Sequence, residues 1–511
     1  MRQPKKCSVT SRHGTASETR LLPQLLVRAA LAGTLSTSLA ACDLFSSSQD
    51  QGSGTSLFGS NGHRAAGYTG EVVADEPAAA LAARNVLSQG GNAADAAAAL
   101  GIALAVTLPS RASLGSGGAC LAWKPGDTEG QAFLFLPVSA GASPAASGAR
   151  SGKAAAPVSS AADRPASVPM LARGLFLMQL RYGSVDFADT IVPALRLAST
   201  GTEVSARLAA DLKTVEGPLL ADDEARSIFA RPDGSAMQAG DILHQRHLAG
   251  TLERMRSAGV GDLYTGALAQ ILISSAGASG SGIDINRLRS SVPAQARPLT
   301  LRSGAYDISF LPPPADGGLG TAVAFRALNN GGRDNGQTAR RIVAAWRSGH
   351  GSDPQAILNS SASAPSAPAL PALPASTSFA VADSKGGAVA CALTMNNLFG
   401  TGRVSGSTGI VLGASPERKP LPLLTAAIAH HGRDSFRAAV TASGQNDAAD
   451  AAAQALADIA GGRHPSSRHT STPAGRVNAL SCPQGLPGGQ SSCYGWTDPA
   501  GGGYATGSSG K

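Results

Sequence analysis

A proline-rich stretch that gives way within one residue to a strand sets the strongest limit on how this 511-residue chain can fold. Asn359–Ala375 carries Pro365, Pro368, Pro371 and Pro374, and proline denies a segment its ladder hydrogen bonds, so the stretch reads as an irregular, flexible connection. Ser376-Thr-Ser-Phe-Ala-Val-Ala-Asp383 then alternates as a strand. Ser384-Lys-Gly-Gly387 forms a turn, and Ala388–Thr394 returns as the second arm of a hairpin. Met395-Asn-Asn-Leu-Phe-Gly-Thr-Gly402 and Gly406-Ser-Thr-Gly-Ile-Val-Leu412 follow.

Upstream, Glu71–Ala74 reads as a strand leading into Asp75-Glu76-Pro77, where the acids and the proline suit the first turn of a helix that ends at Gly90-Gly91. Asn92 is placed to cap a second, Ala-rich helix ending before Pro109. Leu114–Trp123 is a Gly-rich turn running into a strand. Residues 139–167 hold too few large apolar groups to pack and read as an excursion, and residues 168–275 as a mainly helical block.

With 43% hydrophobic and 15% charged residues the chain is globular, and at about 150 residues per domain its length admits up to three domains or one large α/β unit. The net charge of +8 suggests a nucleic-acid partner only until it is divided along the chain. Residues 1–42 carry six Lys/Arg and one Glu, which leaves 36 basic against 33 acidic residues for the remainder. The basic leader precedes a small-residue, mildly apolar run, Ala29–Ala41, too short to span a bilayer, which is the order of a secretory signal. Leu39-Ala-Ala-Cys42 also resembles the bacterial lipobox, which would make Cys42 a lipidated first residue and residues 43–67 a flexible tether; an ordinary cleaved signal is the alternative. The expected location is the periplasm or cell envelope.

An exported chain meets an oxidising compartment, so Cys482 and Cys493, which close a short Gly/Pro/Ser loop, are expected as disulfide partners. Cys120 and Cys391, in apolar strand-like runs, are expected as buried apolar residues rather than disulfide partners. No Cys-x-x-Cys or His-x-x-x-His pattern suggests a metal. Adjacent His430 and His431 cannot face one ion from a regular strand and read as a packed or solvated pair. Neither metal nor cofactor is expected.

The junction at Ser376 resembles the start of the small subunit of the γ-glutamyltranspeptidases, in which a Thr-Thr-His-aromatic-Ser-Val-x-Asp strand is followed by a hairpin, a Thr-x-Asn, a Phe-Gly-Ser/Thr-Gly and a Thr-Gly-Ile-x-Leu, here without gaps. Val72-Val-Ala-Asp-Glu-Pro77, Gly90-Gly-Asn-Ala-Ala-Asp-Ala-Ala97 and Gly115-Ser-Gly-Gly118 resemble the family's amino-terminal signature. Ser167–Leu175, Arg181-Tyr-Gly183, Pro193–Ala198, Gly240–Leu243 and Leu263–Gly266 continue it in order, and Asp498-Pro499 with Gly503-Tyr-Ala505 is similar to its close. The resemblance implies an α/β fold, a four-layer αββα sandwich of the amino-terminal-nucleophile hydrolase type. It divides the chain into a large-subunit region, 68–375, and a small-subunit region, 376–511.

The chemistry implied by that resemblance follows from physical principles. A hydroxyl residue after a flexible peptide attacks its own preceding carbonyl, and hydrolysis of the resulting ester leaves it as a new terminus. Its freed α-amine, with an ordinary pKa of about 7.7–8.0, serves as general base for the hydroxyl beside it. The family's nucleophilic Thr aligns with Ser376, so cleavage is expected between Ala375 and Ser376. Thr394 aligns with the Thr that supports the nucleophile, Asn396 with an Asn that helps bind the substrate's amino-acid head, and Ser443-Gly444 with the Gly-Gly of the oxyanion hole.

The substrate pocket departs from the pattern. Where the family has an Asp-x-Arg-Glu segment whose Arg reads the γ-glutamyl carboxylate, this chain has Leu134-Phe-Leu-Pro137. The acidic residue for the substrate ammonium aligns with Glu417 or Arg418, the paired serines with Pro422-Leu423, and the strand His with Ser378. The expected activity is that of a self-processing amide hydrolase or acyltransferase on γ-glutamyl or related acyl amides, a two-chain heterodimer with no nucleic-acid partner and no membrane contact beyond a lipid anchor. The alternatives are a degenerate cell-envelope binding or structural lipoprotein and a conventional γ-glutamyl transferase. The chain lacks a phosphate loop and a Gly-x-Ser-x-Gly elbow, and its 4% aromatic content supplies no stacking platform for single-stranded nucleic acid.

Overall fold

A computed structural model describes residues 67–140, 165–277, 281–331, 338–349, 353–360, 375–417, 421–466 and 475–506. Cys42, the leader, the tether up to residue 66, most of the 139–167 excursion, most of the proline-rich stretch and Arg418 lie outside them.

Two antiparallel sheets stack face to face. The first runs, edge to edge, Tyr504–Thr506, Gly70–Ala74, Ser376–Asp383, Ala388–Thr394, Gly117–Trp123, Gln131–Phe135, Ala294–Ala296. The second runs Tyr494–Thr497, Arg476–Leu486, Ser435–Ser443, Thr425–His431, Tyr306–Phe310, Leu299–Ser303. Helices including Pro77–Ser88, Ala93–Thr107 and Leu171–Tyr182 cover the outer face of the first sheet, and Gly317–Asn329, Thr338–Ser348 and Ala448–Ala460 cover that of the second. This is the αββα sandwich expected from the sequence.

Three cores separate the four layers, and the alternation along the central hairpin is one of size rather than polarity. Phe379 and Val381, with Val389, Cys391 and Leu393, point into the core under the helices. Ala380, Ala382, Ala388, Ala390 and Ala392 face the second sheet, where small side chains let the two sheets approach. All eight residues of Ser376–Asp383 are buried, so the nucleophile candidate begins a central strand between two sheets.

The helices before it start as the sequence predicts. Pro77 opens its helix, with Glu76 Oε2 accepting the Ala79 N–H at 2.8 Å. Asn92 and Asp95 form a reciprocal capping box on Ala93–Thr107, a helix buried on every side. Asp95 also accepts Gln179 Nε2 at 2.8 Å, the Ser184 N–H at 3.0 Å and Ser184 Oγ at 2.7 Å. Asp95→Ala therefore strands several buried donors and is expected to cost about 3 kcal/mol or more, read as a lower thermal unfolding midpoint.

One expectation is corrected. Cys120 and Cys391 are buried as expected, but as a disulfide, with Cα atoms 4.1 Å apart. They are directly opposed in the register of Gly117–Trp123 against Ala388–Thr394, so both side chains leave the sheet on the same face. Cys482 and Cys493 form the expected second bridge. The histidine pair divides: His430 is buried and stacked on Trp123 at 4.9 Å, while His431 is exposed. Burial pulls His430 below its ordinary pKa.

Candidate active site

Ser376 and Thr394 are opposed at one end of the central hairpin, and Gly117 pairs with Thr394 on its other side. Thr394 Oγ1 donates to the Ala375 carbonyl at 2.5 Å and accepts the Asn396 N–H at 2.8 Å. The Met395 N–H adds a second donor to the Ala375 carbonyl at 3.2 Å. The oxygen of the peptide bond expected to break is thus gripped by two donors.

Asn396 adopts the left-handed conformation at φ 59°, a region Asn tolerates better than most residues, and its Nδ2 donates to the Ser415 carbonyl at 3.3 Å. From the second sheet, the Gly444 N–H donates to Ser376 Oγ at 3.2 Å. Gly444 sits at φ 97°, which disfavours a side chain. Ser443, where the family has the first glycine, ends the preceding strand opposite Arg476, and its buried Oγ has no hydrogen-bond partner among the described residues. The fold brings Ser376, Thr394, Asn396 and Gly444 together. Glu417 is on an exposed turn, its N–H bonded at 3.3 Å to the Oγ of Ser415, the residue whose carbonyl Asn396 Nδ2 meets.

Three further groups at the site carry no sequence signal of their role. Asp75 accepts Thr377 Oγ1 and the Ser378 N–H, both at 3.1 Å, and Asn478 Nδ2 at 2.8 Å. Asn478 crosses from the second sheet and also donates to the Ser378 carbonyl and Oγ, so the two sheets are pinned beside the nucleophile. Arg111 pairs through two nitrogens with Asp211 at 2.7 and 2.8 Å and donates Nη1 to the Ser376 carbonyl at 3.0 Å. Burial works against the Arg111 charge, but the hydrogen bonds and charge of Asp211 outweigh it and hold the guanidinium above its ordinary pKa.

The Gamma-glutamyltranspeptidase family model matches residues 79–347, more than half of the chain. This chain belongs to the gamma-glutamyltranspeptidase family. It is 29% identical over 380 residues to the glutathione hydrolase proenzyme of Escherichia coli (strain K12), covering 67% of this chain and 65% of that protein. It is 28% identical over 268 residues to that of Bacillus subtilis (strain 168), covering 52% and 45%. The chain thus spans less than two thirds of the length of these relatives. In fold it is similar to a cephalosporin acylase from Bacillus halodurans, with a TM-score of 0.67 at 18% identity over 89% of this chain and 99% of that one.

Within the family frame, the head-group positions are apolar and packed. Leu134 and Phe135 are in strand Gln131–Phe135, on opposite faces and in different cores, and Leu136 joins Leu134 between the sheets. A Cβ on Gly117 would meet the Phe135 carbonyl oxygen at 2.3 Å, so this segment is pressed against the residue paired with Thr394. Pro422 and Leu423 are buried as well. No guanidinium or hydroxyl replaces the family's at these positions.

Proposed function

We propose that this chain is a self-processing amide hydrolase or acyltransferase, cut between Ala375 and Ser376 and acting through the freed Ser376. One observation carries the reading: Thr394 Oγ1 holds the Ala375 carbonyl at 2.5 Å, while Gly444 N–H holds Ser376 Oγ. Ser376 Oγ attacks the Ala375 carbonyl carbon, and the developing oxyanion is stabilised by Thr394 Oγ1 and the Met395 N–H. The C–N bond breaks and the proton from Oγ passes to the departing nitrogen, which becomes the Ser376 amine; water then cleaves the ester to an Ala375 carboxylate and the Ser376 hydroxyl. That amine then serves as base when Oγ attacks a substrate amide, with Gly444 N–H beside the new oxyanion. The names of the Escherichia coli and Bacillus subtilis relatives, both proenzymes, agree with a precursor of this kind.

The acyl group is γ-glutamyl or a related acyl of lower polarity. Apolar packing at Leu134–Pro137 and Pro422-Leu423 supports the less polar end of that range. We also propose export, with lipidation at Cys42 and residence in the periplasm or cell envelope. The leader sequence supports this, as do two disulfides, which persist in oxidising compartments.

The test is the intact mass and new amino terminus of protein expressed from residue 43, followed by assays with a γ-glutamyl anilide and an anilide of an uncharged acyl group. Two fragments, the smaller beginning at Ser376, with preference for the uncharged acyl, are expected. A folded but uncut chain overturns the mechanism, and turnover of the γ-glutamyl compound alone overturns the preference for a less polar acyl group. On an unreduced denaturing gel the two fragments are expected to run as one band, held by Cys120–Cys391, and to separate on reduction.

A further inference from the structure

The mechanism above leaves unexplained why a guanidinium is buried against the nucleophile. Arg111 follows the helix Ala93–Thr107 and is 9% exposed. Its Nε and Nη2 engage the Asp211 carboxylate, to which Ser110 Oγ also donates at 2.8 Å. Such a pair offsets its desolvation only with geometry of this quality. Its Nη1 turns away from Asp211 to the Ser376 carbonyl at 3.0 Å, so the positive end of the pair faces residue 376.

The other charged groups around this point are few. Asp75 is saturated by Thr377, Ser378 and Asn478. Arg207, one turn before Asp211 on the helix Ala206–Leu220, is pulled below its ordinary pKa by burial and by the like charge of Arg111. Arg476, which also repels Arg207, begins the strand Arg476–Leu486. Three guanidiniums thus stand against two carboxylates.

We propose that Arg111, clamped by Asp211, is a positioning residue for Ser376: it fixes the Ser376 carbonyl so that Oγ stays under the Gly444 N–H, and its charge disfavours protonation of the freed α-amine. The inference rests on the reading that Ser376 becomes a chain terminus. A residue's amine and carbonyl are neighbours, which places the guanidinium within about 4–6 Å of the amine, a range over which charges shift a pKa by on the order of one unit or more. The like charge shifts the amine downward, so more of it is unprotonated and active as base near neutral pH.

The test compares the unsubstituted chain with Arg111→Lys and with Arg111→Met/Asp211→Leu, in which neither member of the ion pair is left buried without the other. In every form a site-specific protease sequence replaces the residues just before Ser376, so that Ser376 is freed whether or not the chain cuts itself. Self-cleavage is scored separately on the native junction, and its absence there would fault the functional reading and not this one. The first readout is the pH midpoint for acylation of the Ser376 amine, followed by fragment mass; the second is the split between kcat and KM on the anilide that is turned over.

In the double variant the midpoint is expected to rise, by up to about one unit because the loss of Asp211 cancels part of the effect, while kcat falls on the order of tenfold to a hundredfold at nearly constant KM. Arg111→Lys keeps the charge but not the fork, so its midpoint is expected to hold while kcat falls. An unchanged or lower midpoint in the folded double variant overturns the proposal. So does full kcat in Arg111→Lys, or a rise in KM alone, which would make Arg111 a substrate contact. Should the double variant not fold, the Arg111→Lys readouts decide.

Discussion

Ser376→Ala is expected to leave the purified protein as a single uncut chain with no amide turnover. Removing Oγ deletes the atom that would attack the Ala375 carbonyl while disturbing little else, because the strand continues through Thr377 and Ser378, both held by Asp75. The buried side chain is small and accepts the Gly444 N–H, and alanine fits the same strand position, so the fold should survive. Intact mass gives the answer in one measurement. Ser376→Thr, which restores a hydroxyl, is expected to cleave; cleavage in Ser376→Ala would exclude Ser376 as the nucleophile.

Thr394→Val is expected to slow self-cleavage by on the order of a hundredfold to a thousandfold, the usual loss on removing one oxyanion donor. Valine keeps the β-branched shape in the strand but withdraws the 2.5 Å bond to the Ala375 carbonyl and leaves the Asn396 N–H without its acceptor. A stability loss of about 1–3 kcal/mol should accompany it, since a buried donor goes unsatisfied. Thr394→Ser, which keeps the hydroxyl, is expected to cleave close to the unsubstituted rate. A time course of fragment appearance distinguishes the three, and equal rates for Thr394→Val and the unsubstituted chain would remove Thr394 from the mechanism.

The parts of this architecture legible in the sequence are those specified by neighbours along the chain. The hairpin 376–394 shows in its period of two, and the capping box at Asn92–Asp95 in its spacing. Four of the site groups, Ser376, Thr394, Asn396 and Gly444, were found because each lies in or next to a short motif with fixed offsets. Arg111 and Asp211 are 100 residues apart and meet only because the helix Ala206–Leu220 packs beside the turn that follows the helix Ala93–Thr107. Asn478 reaches Asp75 across the sheet–sheet interface from 403 positions away, a relation no local pattern encodes. The burial of Cys120 and Cys391 is legible, but their bond is not, since it depends on strand register and not on either strand's composition. Glu417 follows the same motif onto an exposed turn, where its backbone meets Ser415, the partner of Asn396.

The Cys120–Cys391 bridge joins a strand from before the proposed cut to one from after it. Were the halves held by packing alone, their association would be a bimolecular equilibrium, weakened by dilution and open to exchange of partners among molecules. With the bond in place, partner encounter is intramolecular and insensitive to protein concentration. If the proposed cut is made, subunits from different precursors then do not mix, and each active site is expected to come from the two pieces of a single translation product.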